Sequence, residues 1–469
     1  MILPVLYDTF VKFDPKSASG IQPNLAESWT ISSDGLSYVF TLRKNVKATT
    51  GKTLTAYDAE FCFNRLINLK GNPSFLAEPI AGIKATGEYE LTVTLNEVTP
   101  AIFALLAEAA FAVYDSDAAK INGATGDPAT DHGQRFFDGA SIGSGPFVLD
   151  TYTPNEVLIL KKNPNYWGTP AKIDTIILQQ MSDPSMQLMS IQKGDIDFAF
   201  DLTAAHISSL DTAKVTVNTF PTFDIFFLMM NVTPAVGKQF ADARVREAMY
   251  YALDYEGLCA IAGNGTKTPY NIIPNGFVGY LGESRIKRDI AKAKELLTQA
   301  GFPNGFSFDC GVIPDMAPAG VSFMDCAVKI QADLKEAGVT MNILPDEVSV
   351  YLDKMRNAKY QSCVNMWGPD YNDPATQLAF LPGETVGLRS SWAANMAPDL
   401  AKLCVQAKAA TDPDQRVALI RQIQELYTQL AGPSLVFLQP YRSLPVTKRI
   451  QNLEYTPSQM VNLAVLDTL

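Results

Sequence analysis

The sequence predicts an α/β protein built from several domains, and three observations support that prediction. The chain has 469 residues, and domains of about 100 to 200 residues would divide it into about three. Its composition is 47% hydrophobic and 19% charged, as expected of a folded globular protein with an ordinary core. Segments with the pattern of strands also alternate with segments with the pattern of helices, which is typical of α/β folds.

Two segments predict units of strand, helix and strand. In the first, a β-rich run at 174–181 precedes a helix, and the short apolar run 196–200 follows that helix. In the second, the strand-like run 306–312 precedes a helix that begins after a capping serine, Ser322. Gly338 ends this second helix before an alternating, strand-like segment.

The early part of the chain has a different pattern from the later part. Helices are predicted over 288–300 and 412–430, and the apolar strand 434–438 follows the second of them. By contrast, 37–43 and 89–95 alternate between apolar and polar residues, as half-exposed antiparallel strands do. We therefore expect an α+β layer early in the chain and α/β structure later.

The net charge of the chain argues against a nucleic-acid partner, and its hydropathy argues against a transmembrane segment. The 49 acidic and 38 basic residues leave a net charge of -11 and a pI near 4.9, which is the wrong sign for binding a phosphate backbone. The longest nearly apolar stretch, 101–114, contains Glu108 and is shorter than the roughly 20 residues of a spanning helix. We expect no nucleic-acid partner and no transmembrane segment, and the first residues show no export signal.

The sequence contains few groups that could hold a metal or a cofactor. The six cysteines are too widely spaced for a zinc pattern, and they are expected to be either buried thiols or partners in one or more disulfides. The two histidines, His132 and His206, are too few for a histidine-rich metal site. The segment TGKT at 50–53 resembles a phosphate-binding loop, but Val46 stands where that loop needs its first glycine. We expect no metal and no cofactor.

One short motif predicts an enzyme as the alternative class. Residues 139–143, GASIG, match the pattern of a hydrolase nucleophile, with Ser141 as the serine and His206 downstream. A serine of this kind lies between a buried strand and a helix. Here polar residues precede the motif and the strand-like run 147–150 follows it. A serine hydrolase that uses Ser141 is therefore the less favoured alternative to a binding protein.

The most suggestive cluster follows the strand-like run 362–366. The loop there contains Trp367, Asp370, Tyr371 and Asp373 and is interrupted by glycine and proline. Loops at the carboxyl ends of strands are where α/β folds place their ligands. An aromatic wall beside a carboxylate suits a ligand with an apolar body and a cationic group. The alternative is a solvated turn capped by aspartates.

Several longer strings, taken together, resemble a known family. In chain order they are LYDTFVKFD, NLAESWTISSDGLSYVFTLRKNVKATTGKTLTAYDAEFCFNRL, GSGPFVLDTYTPNEVLILKKNPNYWG, FADARVREAMYYALDYEGL, AKELLTQAGFPNGF and WGPDYNDP. Their order and spacing resemble the large solute-binding proteins of ABC importers of the dipeptide and oligopeptide type, over essentially the whole chain. The resemblance implies a periplasmic-binding-protein-like α/β fold of two lobes joined by a hinge, with an additional α+β domain on the first lobe.

The resemblance also implies a domain division and a function. Domain I would comprise 1–20, 145–255 and 445–469, domain II 21–144, and domain III 256–444. The protein would be a monomeric, periplasmic or otherwise extracytoplasmic subunit that captures a short peptide or amino-acid-derived solute by hinge closure. It would deliver that solute to a membrane permease. An oligosaccharide or an opine is the alternative ligand, because the family also binds such solutes.

Site residues are implied in the same way. In peptide-binding members an acidic residue three positions after the loop tryptophan holds the α-ammonium group of the ligand, and Asp370 stands at that position after Trp367. Other residues in segments that border the cleft of relatives, or that could contact an anionic or aromatic group, are weaker candidates. The predicted ligand-binding residues are Asp370, Trp367, Tyr371, Arg389, Trp392, Phe223 and Asp8.

Overall fold

The computed structural model divides into two compact units. It describes residues 1–14, 20–200, 202–284, 286–457 and 460–469. Unit 1 comprises Met1–Ser182 and Arg449–Leu469, and unit 2 comprises Asp183–Lys448. The three-domain division stays a prediction, because two compact units neither support nor exclude a further domain within one of them.

The helices lie in both units. In chain order the α-helices are α1 (Leu3–Leu6), α2 (Ala56–Leu69), α3 (Ile102–Leu106), α4 (Ser116–Ile121), α5 (Gln134–Phe137), α6 (Pro184–Lys193), α7 (Ala204–Ser208), α8 (Ala243–Ala252), α9 (Tyr255–Ala262), α10 (Ile290–Gln299), α11 (Phe323–Glu336), α12 (Val348–Arg356), α13 (Thr385–Arg389), α14 (Pro398–Ala409) and α15 (Pro413–Gln429). The 3-10 helices are Asn72–Ala77, Ala109–Phe111, Lys238–Ala241, Pro318–Gly320, Pro374–Phe380 and Ala394–Met396.

The strands are short and belong to several separate sheets. In chain order they are β1 (Val11–Phe13), β2 (Ile21–Pro23), β3 (Ala26–Ile31), β4 (Ser37–Leu42), β5 (Ile80–Gly87), β6 (Glu90–Leu95), β7 (Phe147–Thr153), β8 (Val157–Lys162), β9 (Thr175–Gln179), β10 (Val215–Pro221), β11 (Ile225–Met230), β12 (Phe306–Val312), β13 (Val339–Pro345), β14 (Ser362–Trp367), β15 (Ser434–Leu438), β16 (Tyr441–Thr447), β17 (Ile450–Gln451), β18 (Tyr455–Thr456), β19 (Met460–Val461) and β20 (Asp467–Thr468).

An antiparallel sheet in the order β3-β4-β6-β5 forms the centre of unit 1. In it, Phe40 of β4 pairs with Leu91 of β6, and both side chains are buried. Phe10 packs between Phe40 and Phe63 of α2, with ring centroids 5.3 and 5.1 Å apart. Residues of β4 alternate between buried and partly exposed, because one face of the sheet packs on this aromatic core. The two predicted early antiparallel strands are confirmed.

The first predicted unit of strand, helix and strand is wrong. Strand β9 pairs antiparallel with β8 in a sheet of unit 1, in the order β7-β8-β9, whereas α6 belongs to unit 2. Residues 196–200 form no strand, and Phe198 makes only an isolated bridge to Val446. The apolar pattern correctly predicted a strand at β9 and a helix at α6, but not the absence of a strand at 196–200. Such a pattern does not identify which strands pair with each other.

Unit 2 contains a five-stranded mixed sheet in the order β13-β12-β14-β11-β15. Strand β12 is parallel to both β13 and β14, while β11 is antiparallel to β14 and β15. Helix α11 connects the parallel pair β12 and β13, so the second predicted unit of strand, helix and strand is confirmed. Every residue of β11 is buried, as its near-continuous apolar sequence requires of a central strand.

Side-chain caps fix where the main helices of unit 2 begin. The Ser322 hydroxyl accepts the backbone N–H of Asp325 at the start of α11, as its position in the sequence predicted. The Asp412 carboxylate accepts the N–H of Gln415 at the start of α15. At the end of α11, Gly338 has a φ of 87°, which favours glycine. The predicted helices over 288–300 and 412–430 correspond to α10 and α15.

All six cysteines are free thiols. Cys62, Cys310, Cys326, Cys363 and Cys404 are buried, whereas Cys259 is partly buried. Of the two alternatives that the sequence left open, the structure therefore has buried thiols rather than disulfides. Burial raises the pKa of Cys326 and Cys404 to about 12, so neither is a reactive thiolate near neutral pH. No helix in the described part of the chain is long and apolar enough to cross a membrane.

Candidate functional site in the loop after strand β14

The central sheet of unit 2 holds the start of the candidate loop. Trp367 is the last residue of β14, and it pairs with Ile225, the first residue of the fully buried strand β11. Ser362, at the other end of β14, pairs with Cys310 of β12. The pairing of β14 with β11 therefore fixes the position of Trp367, and the chain then leaves the sheet as a loop.

Asp373 and Arg416 anchor the far end of this loop. One oxygen of the Asp373 carboxylate accepts the backbone N–H of Ala375 at 2.8 Å and Nη2 of Arg416, and the other oxygen accepts Nη1 of Arg416 at 2.8 Å. The side chains of Arg416 and Asp373 are only 12% and 13% exposed. A two-bond arginine–carboxylate pair with so little exposure restrains the loop firmly. Arg416 was missed from the sequence, because it lies far along the chain on α15.

Trp367 forms an aromatic surface at the near end of the loop. Its ring meets Phe380 edge to face, with centroids 5.9 Å apart and planes at 81°. On the same indole, the guanidinium carbon of Arg389 lies 5.7 Å from the ring centroid, within the range of a cation–π contact. The indole N–H is buried and has no acceptor among the described residues. The Trp367 ring thus lies against the Arg389 guanidinium, and the indole N–H of Trp367 has no acceptor among the described residues.

Asp370 lies between these two anchored ends and is exposed. No hydrogen bond to its carboxylate occurs among the residues that the structure describes. Partial desolvation raises the pKa of Asp370 above its usual range, and the positive charge of Arg389 opposes that rise. The neighbouring Tyr371 is partly buried, and burial raises the pKa of its phenol. Asp370 is therefore an exposed carboxylate that has no hydrogen-bond donor among the described residues.

Arg389 ends the short helix α13 and is partly buried. Burial lowers the pKa of its guanidinium, the charge of Arg356 lowers it further, and the charge of Asp370 opposes both effects. The described residues provide Arg389 with no hydrogen-bond acceptor and no ion-pair partner. Asp370, Trp367, Tyr371 and Arg389 are thus brought together in one region of unit 2.

Comparison with known proteins identifies the family. The model of the bacterial extracellular solute-binding proteins, family 5, matches residues 20–387. The chain belongs to this family. It is 28% identical to the dipeptide-binding protein of Escherichia coli K12 over 96% of this chain and 87% of that one. It is 27% identical to heme-binding protein A of Haemophilus influenzae over 96% and 85% of the two chains.

Solved structures agree with this assignment at the level of the fold. DppA of Helicobacter pylori, a periplasmic binding protein in complex with the peptide STSA, superimposes with a TM-score of 0.82 at 24% identity, over 99% of this chain and 92% of that one. NikA of Brucella suis, in complex with Fe(III)-EDTA, gives a TM-score of 0.86 at 19% identity, over 100% and 95%. The predicted family and fold class are confirmed, and the chain belongs to a family of solute-binding proteins.

Two of the predicted site residues of this family 5 protein lie in its core. Phe223 is 8% exposed and packs on Phe277, with ring centroids 4.5 Å apart. Trp392 is 3% exposed and meets Tyr427 edge to face, with centroids 5.6 Å apart. Both side chains pack against other rings within unit 2, so their contact with a ligand stays a prediction.

Asp8, the remaining predicted site residue of the family 5 protein, belongs to unit 1 and is buried. Its carboxylate accepts Ser144 Oγ at 2.8 Å, Trp167 Nε1 at 2.9 Å and Asn24 Nδ2 at 3.1 Å. Burial raises the pKa of Asp8, and these three hydrogen bonds lower it. The carboxylate oxygens are thus used within unit 1, and contact with a ligand stays untested.

The hydrolase motif has different surroundings from those of a catalytic serine. The Ser141 hydroxyl accepts the backbone N–H of Leu149 at 2.9 Å, and GASIG lies in irregular structure before β7. His206 belongs to unit 2, where its Nδ1 bonds the Thr203 hydroxyl at 2.7 Å. Among the described residues there is no group of histidine, cysteine, aspartate or glutamate side chains that could hold a metal ion. The family to which the chain belongs binds substrates.

Proposed function

We propose that this family 5 protein is the extracytoplasmic solute-binding subunit of an ABC importer, that its ligand is a short peptide or amino-acid-derived compound with a free amine, and that it does no covalent chemistry. The observation on which this rests is the position of Asp370, an exposed carboxylate with no hydrogen-bond donor among the described residues, in the loop that begins at Trp367. The names of the relatives support the peptide ligand, because dipeptide-binding proteins are among them.

An ammonium group is the partner that suits Asp370 best. A primary ammonium donates three hydrogen bonds and neutralises the carboxylate, and a charge-assisted bond of this kind contributes about 1.5 to 3 kcal/mol. The anchored ends of the loop hold the carboxylate in place, so little conformational freedom is lost when the ligand binds. The indole of Trp367 can cover the apolar part of the same ligand.

The experiment that tests this proposal is calorimetric titration of the wild type and Asp370→Asn with Ala-Ala and with N-acetyl-Ala-Ala. We expect the wild type to prefer the free amine, and Asp370→Asn to weaken binding of Ala-Ala by about 10- to 100-fold. Asp399→Asn is the matched control, because Asp399 is an exposed aspartate on α14. Equal affinity of the wild type for both peptides would refute the amine anchor.

An oligosaccharide ligand predicts a different result. It would stack on Trp367 and would respond little to the loss of charge in Asp370→Asn, while Trp367→Ala would abolish binding. Native mass spectrometry of freshly purified protein would detect either kind of ligand directly. Capture by hinge closure and delivery to a permease remain part of the proposal, and small-angle scattering that shows no compaction with a tight ligand would contradict the closure step.

A further inference from the structure

The chain contains four pairs in which glycine follows asparagine, and their asparagines are Asn122, Asn264, Asn275 and Asn304. In such a pair the amide nitrogen of the glycine can attack the side-chain carbonyl carbon of the asparagine, because glycine has no side chain that obstructs the approach. The fold decides which pairs react, because the reaction needs a free glycine N–H and a peptide group that can rotate.

Hydrogen bonds hold the reacting groups of two of these pairs. In the pair at 122–123, the glycine N–H donates to the Lys120 carbonyl at 3.1 Å, and the asparagine Nδ2 donates to the Ala118 carbonyl at 2.8 Å. In the pair at 304–305, the glycine N–H donates to the Phe302 carbonyl at 3.0 Å. These bonds must break before the glycine nitrogen can attack, so both pairs are protected.

The third pair, at 275–276, is held on both sides of its asparagine. The Asn275 N–H donates to Gln439 Oε1 at 2.8 Å, and the Asn275 carbonyl accepts Gln439 Nε2 at 3.0 Å. Gln439 is fully buried. Ring closure rotates the peptide group that contains the Asn275 carbonyl, and this rotation would break the second bond. The third pair is therefore protected as well, although its glycine N–H is not an engaged donor.

The fourth pair, Asn264 and Gly265, is exposed and has free reacting groups. It lies in a turn after α9 that is closed by a hydrogen bond from the Thr266 N–H to the Gly263 carbonyl at 3.4 Å. Gly265 has a φ of 86°, which favours glycine at the third position of such a turn. Among the described residues, the Gly265 N–H has no acceptor and the Asn264 side chain has no hydrogen bond.

We propose that Asn264 is a site of spontaneous deamidation. The Gly265 nitrogen forms a bond to Cγ of Asn264, the bond from Cγ to Nδ2 breaks, and Nδ2 leaves as ammonia with the proton that the glycine nitrogen gives up. Water then adds to one of the two carbonyl carbons of the cyclic imide and opens it to aspartate or isoaspartate. Water is the only co-reactant. The product has one more negative charge, three residues before Lys267.

The chain on both sides of this turn is anchored, so the change should stay local. Before the turn, the Gly263 N–H donates to the Cys259 carbonyl of α9 at 3.1 Å. After it, Lys267 and Gln439 exchange two backbone hydrogen bonds, of 3.1 and 2.7 Å. The Lys267 ammonium is paired with Glu283 at 2.6 Å. We therefore expect the deamidated protein to remain folded and to differ from the original chiefly in charge.

The experiment incubates the purified protein at mildly alkaline pH and follows each pair by mass spectrometry. Trypsin cuts after Lys267, so Asn264 and Asn275 are measured on different peptides. A sample digested at time zero corrects for reaction during digestion. We expect Asn264 to deamidate at least about 10-fold faster than Asn122 and Asn304, because their hydrogen bonds must open first. Asn275 should also be slower than Asn264.

Two variants and one condition test whether the fold causes this difference. Asn264→Gln should lose the acidic form seen by ion-exchange chromatography, because a glutamine side chain would have to close a larger ring. Asn122→Gln is the matched control and should keep that form. In concentrated denaturant the four rates should approach one another. If Asn264 reacts no faster than Asn122 and Asn304 in the folded protein, or if its advantage is unchanged in denaturant, the proposal is overturned.

Discussion

Asp8 of unit 1 and Asp370 of unit 2 were both predicted from the sequence to bind ligand, and they differ in the hydrogen-bond donors around their carboxylates. Desolvation raises the pKa of each carboxyl group. Asp8 meets three side-chain donors of its own unit, whereas Asp370 meets none among the described residues. A buried carboxylate whose donors are supplied by the protein stabilises the fold, whereas an exposed carboxylate without a protein donor keeps its acceptor oxygens for a ligand.

The difference teaches why a family resemblance alone could not separate the two roles. Asp8, Asn24, Ser144 and Trp167 belong to three of the strings that resemble the family: LYDTFVKFD, the string that begins with NLAESW, and the string that begins with GSGPF and ends with NPNYWG. In the structure these strings meet around one carboxylate. In this chain, the four residues therefore contribute to the fold of unit 1. The first aspartate of the string WGPDYNDP, by contrast, has no hydrogen-bond donor in the part of the chain that the structure describes.

The largest expected effect follows from removing the Asp8 carboxylate. Asp8→Ala would leave the donors of Ser144, Trp167 and Asn24 buried without an acceptor, and each such donor costs about 1 to 3 kcal/mol. We expect the free energy of unfolding of unit 1 to fall by about 3 kcal/mol or more. Hydrogen exchange detected by mass spectrometry would show faster exchange in β4 and β6 of unit 1 and unchanged exchange in β12 and β13 of unit 2.

A graded control accompanies that variant. Asn24→Ala removes the Nδ2 bonds to Asp8 and to the Thr9 carbonyl and leaves Asp8 its bonds to Ser144 and Trp167, so the loss should be smaller, about 1 to 2 kcal/mol. If Asp8→Ala leaves exchange in unit 1 unchanged, the hydrogen bonds around Asp8 do not stabilise the fold, and the contrast between the two aspartates fails.

The sequence predicted elements better than it predicted partners. The alternation of apolar and polar residues predicted β4, and helix-capping residues predicted the starts of α11 and α15. Both signals are local in the sequence. The assignment of 196–200 to a strand was wrong, because its pairing depends on distant residues. For the site, Trp367 and Asp370 could be found from one loop, whereas the Arg416–Asp373 pair could not. Equally, the burial of Phe223 and Trp392 depends on Phe277 and Tyr427, and a single sequence does not identify such contacts.

An intermediate effect is expected at the anchored end of the loop. Asp373→Asn leaves the largely buried charge of Arg416 without its counter-ion, and the free energy of unfolding of unit 2 should fall by about 2 kcal/mol. Arg416→Met should cost a similar amount. In a double-mutant cycle measured by chemical denaturation, the two changes should couple by more than about 1 kcal/mol. Strictly additive losses would show that the pair does not hold the loop, and would weaken the contrast between Asp373 and Asp370.

The smallest effect on stability is expected at Asp370. Because the folded state raises the pKa of Asp370 above its unfolded value, it binds the proton more tightly than the unfolded chain does. The favourable contribution is fully present below the unfolded pKa and is lost as the pH rises through the folded pKa. Asp370→Asn removes this dependence, so at neutral pH the variant should be as stable as the wild type, or more stable, within about 0.5 kcal/mol.

The same substitution separates stability from binding. Affinity of the wild type for Ala-Ala should fall as the pH drops through the raised pKa of Asp370, because protonation removes the charge that holds the ammonium group. Asp370→Asn should bind weakly at every pH in that window. Titrations across the window, with thermal unfolding at each pH, would show both results together. A large loss of stability in Asp370→Asn would mean that Asp370, like Asp8, has a partner within the fold, and the distinction between the two aspartates would fail.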